Sequence, residues 1–539
     1  MKKLTYIFFS SVVFFILMLT SCKKSFLDEK VFSAYAPETL TDSLGFEASI
    51  AGLHNHFSQF FTMSDQQGWL SVWQVGTDIA YAAQQQGVEV PYYSYNLLIS
   101  TDRGAADTWA WGYRMINNAN IIIKNAENPG LTGMTDVNKK AVNGEARFFR
   151  AYAYNLLATC FGRVPLIQEP LTAPKTDFVR APLAEVNKLI EDDLLFAATN
   201  LPEIDKVKSN TKGRMYSRAN KAMAQHLLAE AYLRIGKNDL AEQQAKSVIS
   251  SGKFVLTTAR YGLKASQPGD PFADMFLYGN QRYGQGNKEA IWVMEMENPA
   301  SVIGGITNSP QQRRVWTAAY YQITGMKLVD SLGGRGLARL RLNDWVNYRL
   351  YEQNDMRNSS YNFRRKYWYN NPAVPATFGK EVPYSGFDTI YRIPPHTTKW
   401  FEFNPNDEFG FAMIKDIIQM RLGETYLFLA EAQFKQGKLT EAAATLNIIR
   451  GRAKATPVTS AQVTLDYILD ERVRELVGEE NRRMTLMRTG KLVERALALN
   501  AVSPVNQMSG IAAKHLLMPI PQAEINLNKD AVLEQNPGY

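Results

Sequence analysis

Apolar residues recur at helical spacing in four stretches of the chain, residues 105–160, 182–252, 412–454 and 465–499. In each stretch, apolar positions three and four residues apart form one stripe along the predicted helix, which is the pattern of a helix that packs on one face. A further helix is predicted over residues 46–61. The pattern therefore predicts a mainly α-helical protein.

Two of these stretches contain the same helical hairpin. The motif Leu-Ala-Glu-Ala occurs at residues 228–231 and again at 429–432, and Gly-Lys follows at 236–237 and 437–438, an offset of 201 residues throughout. Small residues let the two helices of a hairpin approach closely, and the glycine ends the first helix. We interpret the hairpins as tetratricopeptide-like and as a scaffold, because two clear copies are too few to build a long concave groove.

A third hairpin is predicted from residues 111–124 and 144–161. Its second helix contains Cys160 in an apolar run, so we expect a buried and unreactive thiol there.

The regions 57–104 and 253–411 have a different composition, rich in Gly, Pro, Asn and aromatic residues and poor in helical periods. Short strands are predicted at residues 290–294 and 389–393. A loop-rich region of this length is a candidate binding surface.

The N-terminus has the pattern of an export signal. Lys2 and Lys3 precede a short apolar run over residues 4–19, which is shorter than a membrane span, and the sequence Leu-Thr-Ser-Cys that ends at Cys22 resembles a bacterial lipobox. We therefore predict that residues 1–21 are removed, that Cys22 is lipidated and that residues 22–30 form a tether. The alternative is an ordinary secretory signal with a chance cysteine near its end.

Composition excludes several classes of function. The 60 Lys and Arg residues exceed the 52 Asp and Glu residues by only eight, and they form no basic run, so we expect no nucleic-acid partner. The chain has two cysteines, and with Cys22 acylated no intrachain disulfide is expected. The distinctive feature is the aromatic content of 9 Trp, 26 Tyr and 27 Phe residues.

No sequence motif of a hydrolase nucleophile, a zinc protease, a nucleotide-binding loop or an EF-hand is present. His54 and His56 lie on a predicted helix where they do not share a face, so we expect no metal and no cofactor. Acidic pairs such as Glu471 and Glu475 lie on helical patterns beside arginines, which favours a salt-bridge network with Arg474, Arg482 and Arg488 over catalysis. Two carboxylates brought together from distant positions remain an alternative.

Several short motifs occur in an order typical of one family. They are Phe-Leu-Asp at 26–28, Trp-Gly-Tyr at 111–113, the run from 144 to 152, the segment 161–166, the repeat at 429–432, Glu-Arg at 471–472, and the ending from Met-Pro-Ile-Pro at 518–521 to Asn-Pro-Gly-Tyr. Over essentially the whole mature chain, the sequence resembles the SusD/RagB family of outer-membrane lipoproteins of the Bacteroidota. One departure is that Arg483 and Thr485 occupy positions where the family often has Trp and Asp.

The resemblance implies a fold of about four tetratricopeptide-like helical pairs, a large loop-rich region and a few short β-strands. It implies a single domain over residues 31–539, with an N-terminal part at 31–252, a loop-rich, ligand-facing insertion at 253–411 and a C-terminal part at 412–539. It also implies a lipid-anchored, surface-exposed protein that closes over a SusC-like TonB-dependent transporter barrel as a lid and captures oligosaccharides, or in some members oligopeptides, without catalysis.

A receptor for a neutral sugar needs flat aromatic rings flanked by polar groups. The two loop-rich regions supply such rings, and in the second region, 253–411, polar groups lie near the rings in sequence: Asn343, Asp344 and Arg365. We predict that some of the following residues contact the ligand, while others belong to the core or to a contact with the barrel: Trp69, Trp73, Asp78, Tyr81, Tyr320, Trp345, Tyr367 and Trp368.

Three other functions remain open at the level of sequence. The first is an oligopeptide-binding lid, the second a surface glycoside hydrolase carried on the same scaffold, and the third an assembly scaffold without affinity for small molecules.

Overall fold

The structure is a computed structural model of the 539-residue chain. It describes residues 40, 42–62, 69–83, 87–207, 217–297, 310, 312–401, 413–500 and 508–539. The predicted signal peptide, Cys22 and the predicted tether lie outside these residues, as do Gln84 to Gln86 and the side chain of Trp69. No helix in the described ranges is long and apolar enough to cross a membrane.

The described chain is mainly helical, as the sequence predicts. Its helices are α1 (Ser43–Thr62), α2 (Arg103–Ala126), α3 (Asp136–Phe161), α4 (Leu183–Asn200), α5 (Lys221–Ile235), α6 (Asn238–Ser250), α7 (Pro271–Asp274), α8 (Gln312–Trp316), α9 (Asp344–Tyr348), α10 (Leu422–Lys435), α11 (Leu439–Arg452), α12 (Leu465–Leu476), α13 (Arg482–Arg488), α14 (Leu492–Leu499) and α15 (Gln522–Leu527). Its strands are β1 (Ala80–Ala82), β2 (Ala290–Met294), β3 (Leu340–Leu342), β4 (Phe363–Arg364), β5 (His396–Thr397) and β6 (Ile417–Arg421). They pair antiparallel as β1 with β3, β2 with β6, and β4 with β5.

Consecutive helices from α2 to α6 pack side by side, and α10 continues the array by packing on α6. The repeated hairpins are α5–α6 and α10–α11, so the predicted repeat is confirmed and its two copies are neighbours in space. Gly236 ends α5 with a φ of +79°, a conformation that favours glycine. In the third hairpin, a Cβ on Gly112 would lie 2.9 Å from the Leu157 side chain, so the glycine permits the close approach of α2 and α3.

The second helix of this hairpin also contains Cys160, which is buried as predicted. Burial raises the pKa of this thiol to about 12, and the group is therefore protonated and unreactive at neutral pH.

The loop-rich region builds small hydrophobic clusters of its own. The predicted strand at 290–294 is confirmed as β2. The predicted strand at 389–393 is wrong, because residues 386–389 form a 3₁₀ helix and the chain then turns. Tyr391 and Ile393 are buried in two of these clusters rather than on a sheet, and the strand that does form, β5, begins after Pro394 and Pro395.

The predicted salt-bridge network is confirmed only in part. Glu471 pairs with Arg474 at 2.8 Å, but the other charged residues of the predicted network pair with other parts of the chain. Glu475 of α12 pairs with Arg357 at 2.9 Å and also with Arg421 and Arg452, all of them buried. Arg488 of α13 pairs with Glu431 of α10 at 2.7 Å. The network therefore fastens the C-terminal helices to the helical array and to the loop-rich region.

Candidate functional site

Five of the predicted ligand contacts lie in the interior of the protein. Trp73, Asp78, Tyr81, Tyr320 and Tyr367 are between 0% and 2% exposed. A side chain without accessible surface cannot present a ring or a carboxylate to a ligand, so these five residues belong to the core, as the prediction allowed for some of its members. Large rings in loops were instead used to build the core.

The buried rings pack on one another. Trp73 stacks on Phe60 with ring centres 5.5 Å apart and an angle of 16° between planes. Tyr320 stacks on Tyr367 in the same way, at 5.8 Å and 20°. The rings of both pairs are therefore part of the hydrophobic interior under the loops.

Asp78 forms a buried ion-pair centre under the loop surface. Its carboxylate lies 2.6 Å from Arg482 of α13 and 2.7 Å from Arg495 of α14. Burial alone would raise the pKa of Asp78, but the two guanidinium groups outweigh burial and hold the pKa below its ordinary value. The guanidinium of Arg495 also lies 5.6 Å from the ring centre of Trp345, which is half-buried. Asp78 therefore holds Arg495, which lies against Trp345, and has no surface with which to contact a ligand.

The short sheet of β1 and β3 contains two further residues of this region, Tyr81 and Arg341. Tyr81 is paired directly with Arg341, whose guanidinium lies 5.4 Å from the Tyr81 ring centre. Burial raises the pKa of Tyr81 to about 12, so its hydroxyl is protonated at neutral pH. Arg341 donates to the Asp344 carboxylate at 2.9 Å and to the Thr389 carbonyl at 3.0 Å. One guanidinium thus joins the sheet to α9 and to the loop around residue 389.

Helix α9 brings polar and aromatic groups to the surface. Asn343 caps it by accepting a hydrogen bond from the Val346 amide, and the Asn343 amide donates to the carbonyl oxygens of Asp78 and Leu499. Asp344 and Tyr348 are four residues apart, so they share one face of the helix, and both are exposed. The cap therefore fixes the direction in which this face points.

Tyr348 meets Tyr384 at the surface. Their hydroxyl oxygens are 2.8 Å apart, and the residues are 51% and 43% exposed. Arg365 steadies this end of α9 by donating to the Asn347 carbonyl at 3.0 Å. We call Tyr348 and Tyr384 the tyrosine pair. With Asp344 and Arg341 beside it, the pair offers two ring surfaces, two hydroxyls and an ion pair to a ligand.

Trp368 is the predicted contact that the structure leaves most open, at 48% exposed. It lies opposite Glu381 in a short hairpin, where the Tyr369 amide donates to the Lys380 carbonyl at 3.0 Å. Side chains alternate along an extended segment, so Tyr367 points into the core while Trp368 points outward. Since Tyr384 follows Glu381 by three residues, its Cα lies within roughly 11 Å of the Glu381 Cα.

The tyrosine pair was not among the predicted site residues. Tyr348 lies four residues after Asp344, so the exposed face of α9 was a signal for it. No local signal pointed to Tyr384, because its partner lies 36 residues away in the chain.

Acidic residues other than Glu471 and Glu475 also have structural partners. Asp193 pairs with Arg150 at 2.7 Å, and Glu479 pairs with Arg421 at 2.7 Å. His54 bonds to the Glu145 carboxylate at 2.8 Å. Within the described residues, no cluster of three or more His, Cys, Asp or Glu side chains could hold a metal ion.

Two sequence profiles match this chain. The profile of the SusD family matches residues 341–539, and one described as starch-binding associating with outer membrane matches residues 25–233. The chain belongs to the SusD/RagB family. Among its relatives, SusD-like protein P25 of Formosa agariphila is 24% identical over 540 residues, which cover 96% of each chain. The starch-binding protein SusD of Bacteroides thetaiotaomicron is 34% identical over 124 residues, 23% of this chain and 22% of that one.

Solved structures of SusD-like proteins share the fold. A laminarin-binding SusD-like protein has a TM-score of 0.68 at 22% identity and covers 93% of this chain and 100% of its own. Surface glycan-binding protein A from Bacteroides thetaiotaomicron has a TM-score of 0.71 at 18% identity, covering 92% of this chain and 99% of its own. The predicted family and the tetratricopeptide-like fold class are thus confirmed.

Proposed function

We propose that this protein is a surface receptor that captures oligosaccharides and passes them to an outer-membrane transporter. The observation that carries the proposal is the exposed tyrosine pair, which lies beside the ion pair of Arg341 and Asp344. The printed names of family relatives, which include a starch-binding and a laminarin-binding protein, support a glycan as the ligand class.

The geometry suits a sugar for a physical reason. A pyranose ring has an apolar face, which packs on an aromatic ring, and a rim of hydroxyls, which needs donors and acceptors around that ring. Tyr348 and Tyr384 supply the faces and hydroxyl donors, while the exposed Asp344 carboxylate, held in place by the buried Arg341, accepts. Trp368, on the neighbouring hairpin, adds a further exposed ring.

The proposed place of action is the outer membrane. A lipid on Cys22 would hold the protein there, and residues 22–30 would let it swing as the lid of a SusC-like TonB-dependent barrel. The description of the profile over residues 25–233, which mentions association with the outer membrane, supports this location. We propose binding without catalysis, since Glu471 and Glu475, the acidic pair considered for hydrolysis, are engaged with arginines.

Calorimetric titration of the purified protein in detergent, against plant, host and microbial oligosaccharides, tests the proposal. We expect binding to at least one oligosaccharide, and a loss of about tenfold or more in affinity on replacing both tyrosines of the pair with Ala. Tyr278→Ala is the matched control, because Tyr278 is 39% exposed on the loop that follows α7. Binding to peptides alone, or an unchanged affinity in the double variant, would overturn the glycan site.

A further inference from the structure

A pocket lies between the loops around α7 and the end of strand β4. It has a volume of about 140 Å³ and opens to solvent. Three basic residues, Arg260, Lys264 and Arg364, line it, and Asp274 is the acidic residue among its described lining. Among the described lining residues, basic side chains therefore outnumber acidic ones by two.

The charge of Arg260 is satisfied within the wall of the pocket. Its guanidinium lies 2.6 and 3.1 Å from the two carboxylate oxygens of Asp274, and it donates to the carbonyl oxygens of Lys264 and Gln267 at 2.7 Å each. Arg260 and Asp274 thus neutralise each other within the wall of the pocket.

Arg364 is in the opposite state. Its Nε is buried and has no hydrogen-bond partner, and Arg364 forms no ion pair with a carboxylate in the described parts of the chain. The group lies over the rings of Tyr367 and Phe401, at 5.9 and 5.7 Å from their centres, which fixes its plane. An unpaired buried donor destabilises a protein unless something binds it. The neighbouring Arg365, by contrast, donates to Asn347 and Asn358.

Two hydroxyl groups and an exposed aromatic ring line the same pocket as Arg364. Ser331 and Ser360 line the pocket, and neither hydroxyl has a hydrogen-bond partner among the residues that the structure describes. Tyr361, also in the lining, is 44% exposed. The pocket thus combines a fixed guanidinium, two available hydroxyls and an accessible aromatic ring.

We propose that this pocket binds the anionic group, a carboxylate or a sulfate ester, of an acidic oligosaccharide. The guanidinium of Arg364 donates to the anion, Ser331 and Ser360 add hydrogen bonds, and the Tyr361 ring packs on the sugar that bears the group. The inference rests on the proposed glycan-binding function and narrows its ligand to acidic glycans.

Calorimetry with four classes of probe tests this inference. The probes are oligogalacturonates, sulfated carrageenan oligosaccharides, neutral oligosaccharides of starch and laminarin, and polyglutamate. The variant is Arg364→Gln, and the matched control is Lys366→Gln. Lys366 lies two residues after Arg364 and carries the same charge, but its side chain is exposed and pairs with Glu381. Circular dichroism checks that both variants are folded.

We expect an acidic oligosaccharide to bind most tightly, Arg364→Gln to weaken it by about tenfold or more, and Lys366→Gln to leave it within about twofold. The uronate and sulfate probes show which anion fits. Binding to neutral sugars alone, or equal affinities in both variants, would overturn the anionic pocket while the proposed function stands. Binding to no oligosaccharide, or to polyglutamate alone, would overturn the proposed function itself.

Discussion

Replacing Asp78 with Asn should destabilise the protein strongly, although the two side chains have nearly the same shape. Asp78 has no accessible surface and neutralises Arg482 at 2.6 Å and Arg495 at 2.7 Å. The substitution removes the negative charge and places amide hydrogens against guanidinium groups that have no lone pair to accept them.

The expected loss follows from the partners that remain. Breaking a buried ion pair from one side costs roughly 3–5 kcal/mol, because a charge is left buried without compensation. Arg495 keeps Asp466 at 3.0 Å and Asp470 at 2.6 Å, while Arg482 keeps Glu480 at 3.3 Å. We therefore expect the lower part of that range, a loss of about 3 kcal/mol in the free energy of unfolding.

Urea unfolding at neutral pH measures this loss. Asp192→Asn is the control, because Asp192 pairs with Lys188 on the surface, where such a pair contributes little to stability. If Asp78→Asn lowered the free energy of unfolding by no more than Asp192→Asn does, the account of Asp78 as a buried ion-pair centre would be refuted.

Three further predictions concern other parts of the chain. Burial lowers the pKa of His396 to about 4, against 6.5 in the unfolded chain. Its contribution to the free energy of unfolding is therefore complete above pH 6.5, and about 3 kcal/mol of it is lost as the pH falls to 4. Urea unfolding across that window should show a shallower pH dependence in His396→Gln, and an unchanged slope would count against the assignment. Gly76→Ala should lower the free energy of unfolding by more than about 2 kcal/mol, because φ is +69° and the new Cβ would lie 1.7 Å from the Tyr92 carbonyl oxygen. Thermal melts measure this loss, and Gly52→Ala, with open space around the new Cβ, should leave the melting temperature unchanged. Cys22→Ala should abolish uptake by cells while the purified protein keeps its ligand affinity, and a loss of both would show that the anchor segment shapes the binding site.

The helical scaffold could be predicted from the sequence because its signals are local. The spacing of apolar residues, the alanines at 229 and 430 and the glycines at 236 and 437 specify helices and hairpins within short windows. The strand at 389–393 was wrongly predicted because a strand also needs a partner, and Tyr391 and Ile393 are buried in small clusters instead.

The site was predictable only in part, because exposure is decided by contacts between distant segments. Tyr367 and Trp368 are adjacent and similar in sequence terms, yet one is stacked on Tyr320 in the core and the other is open to solvent. The tyrosine pair and the Arg364 pocket are assembled from separate segments, so their residues carry no common motif.

A crystal structure of the protein with its tightest-binding oligosaccharide is the most direct test of the proposed receptor function. The account predicts a sugar ring packed against Tyr348 and Tyr384, with its hydroxyls hydrogen-bonded to Asp344. A sugar bound elsewhere, with both tyrosines still facing solvent, would contradict it.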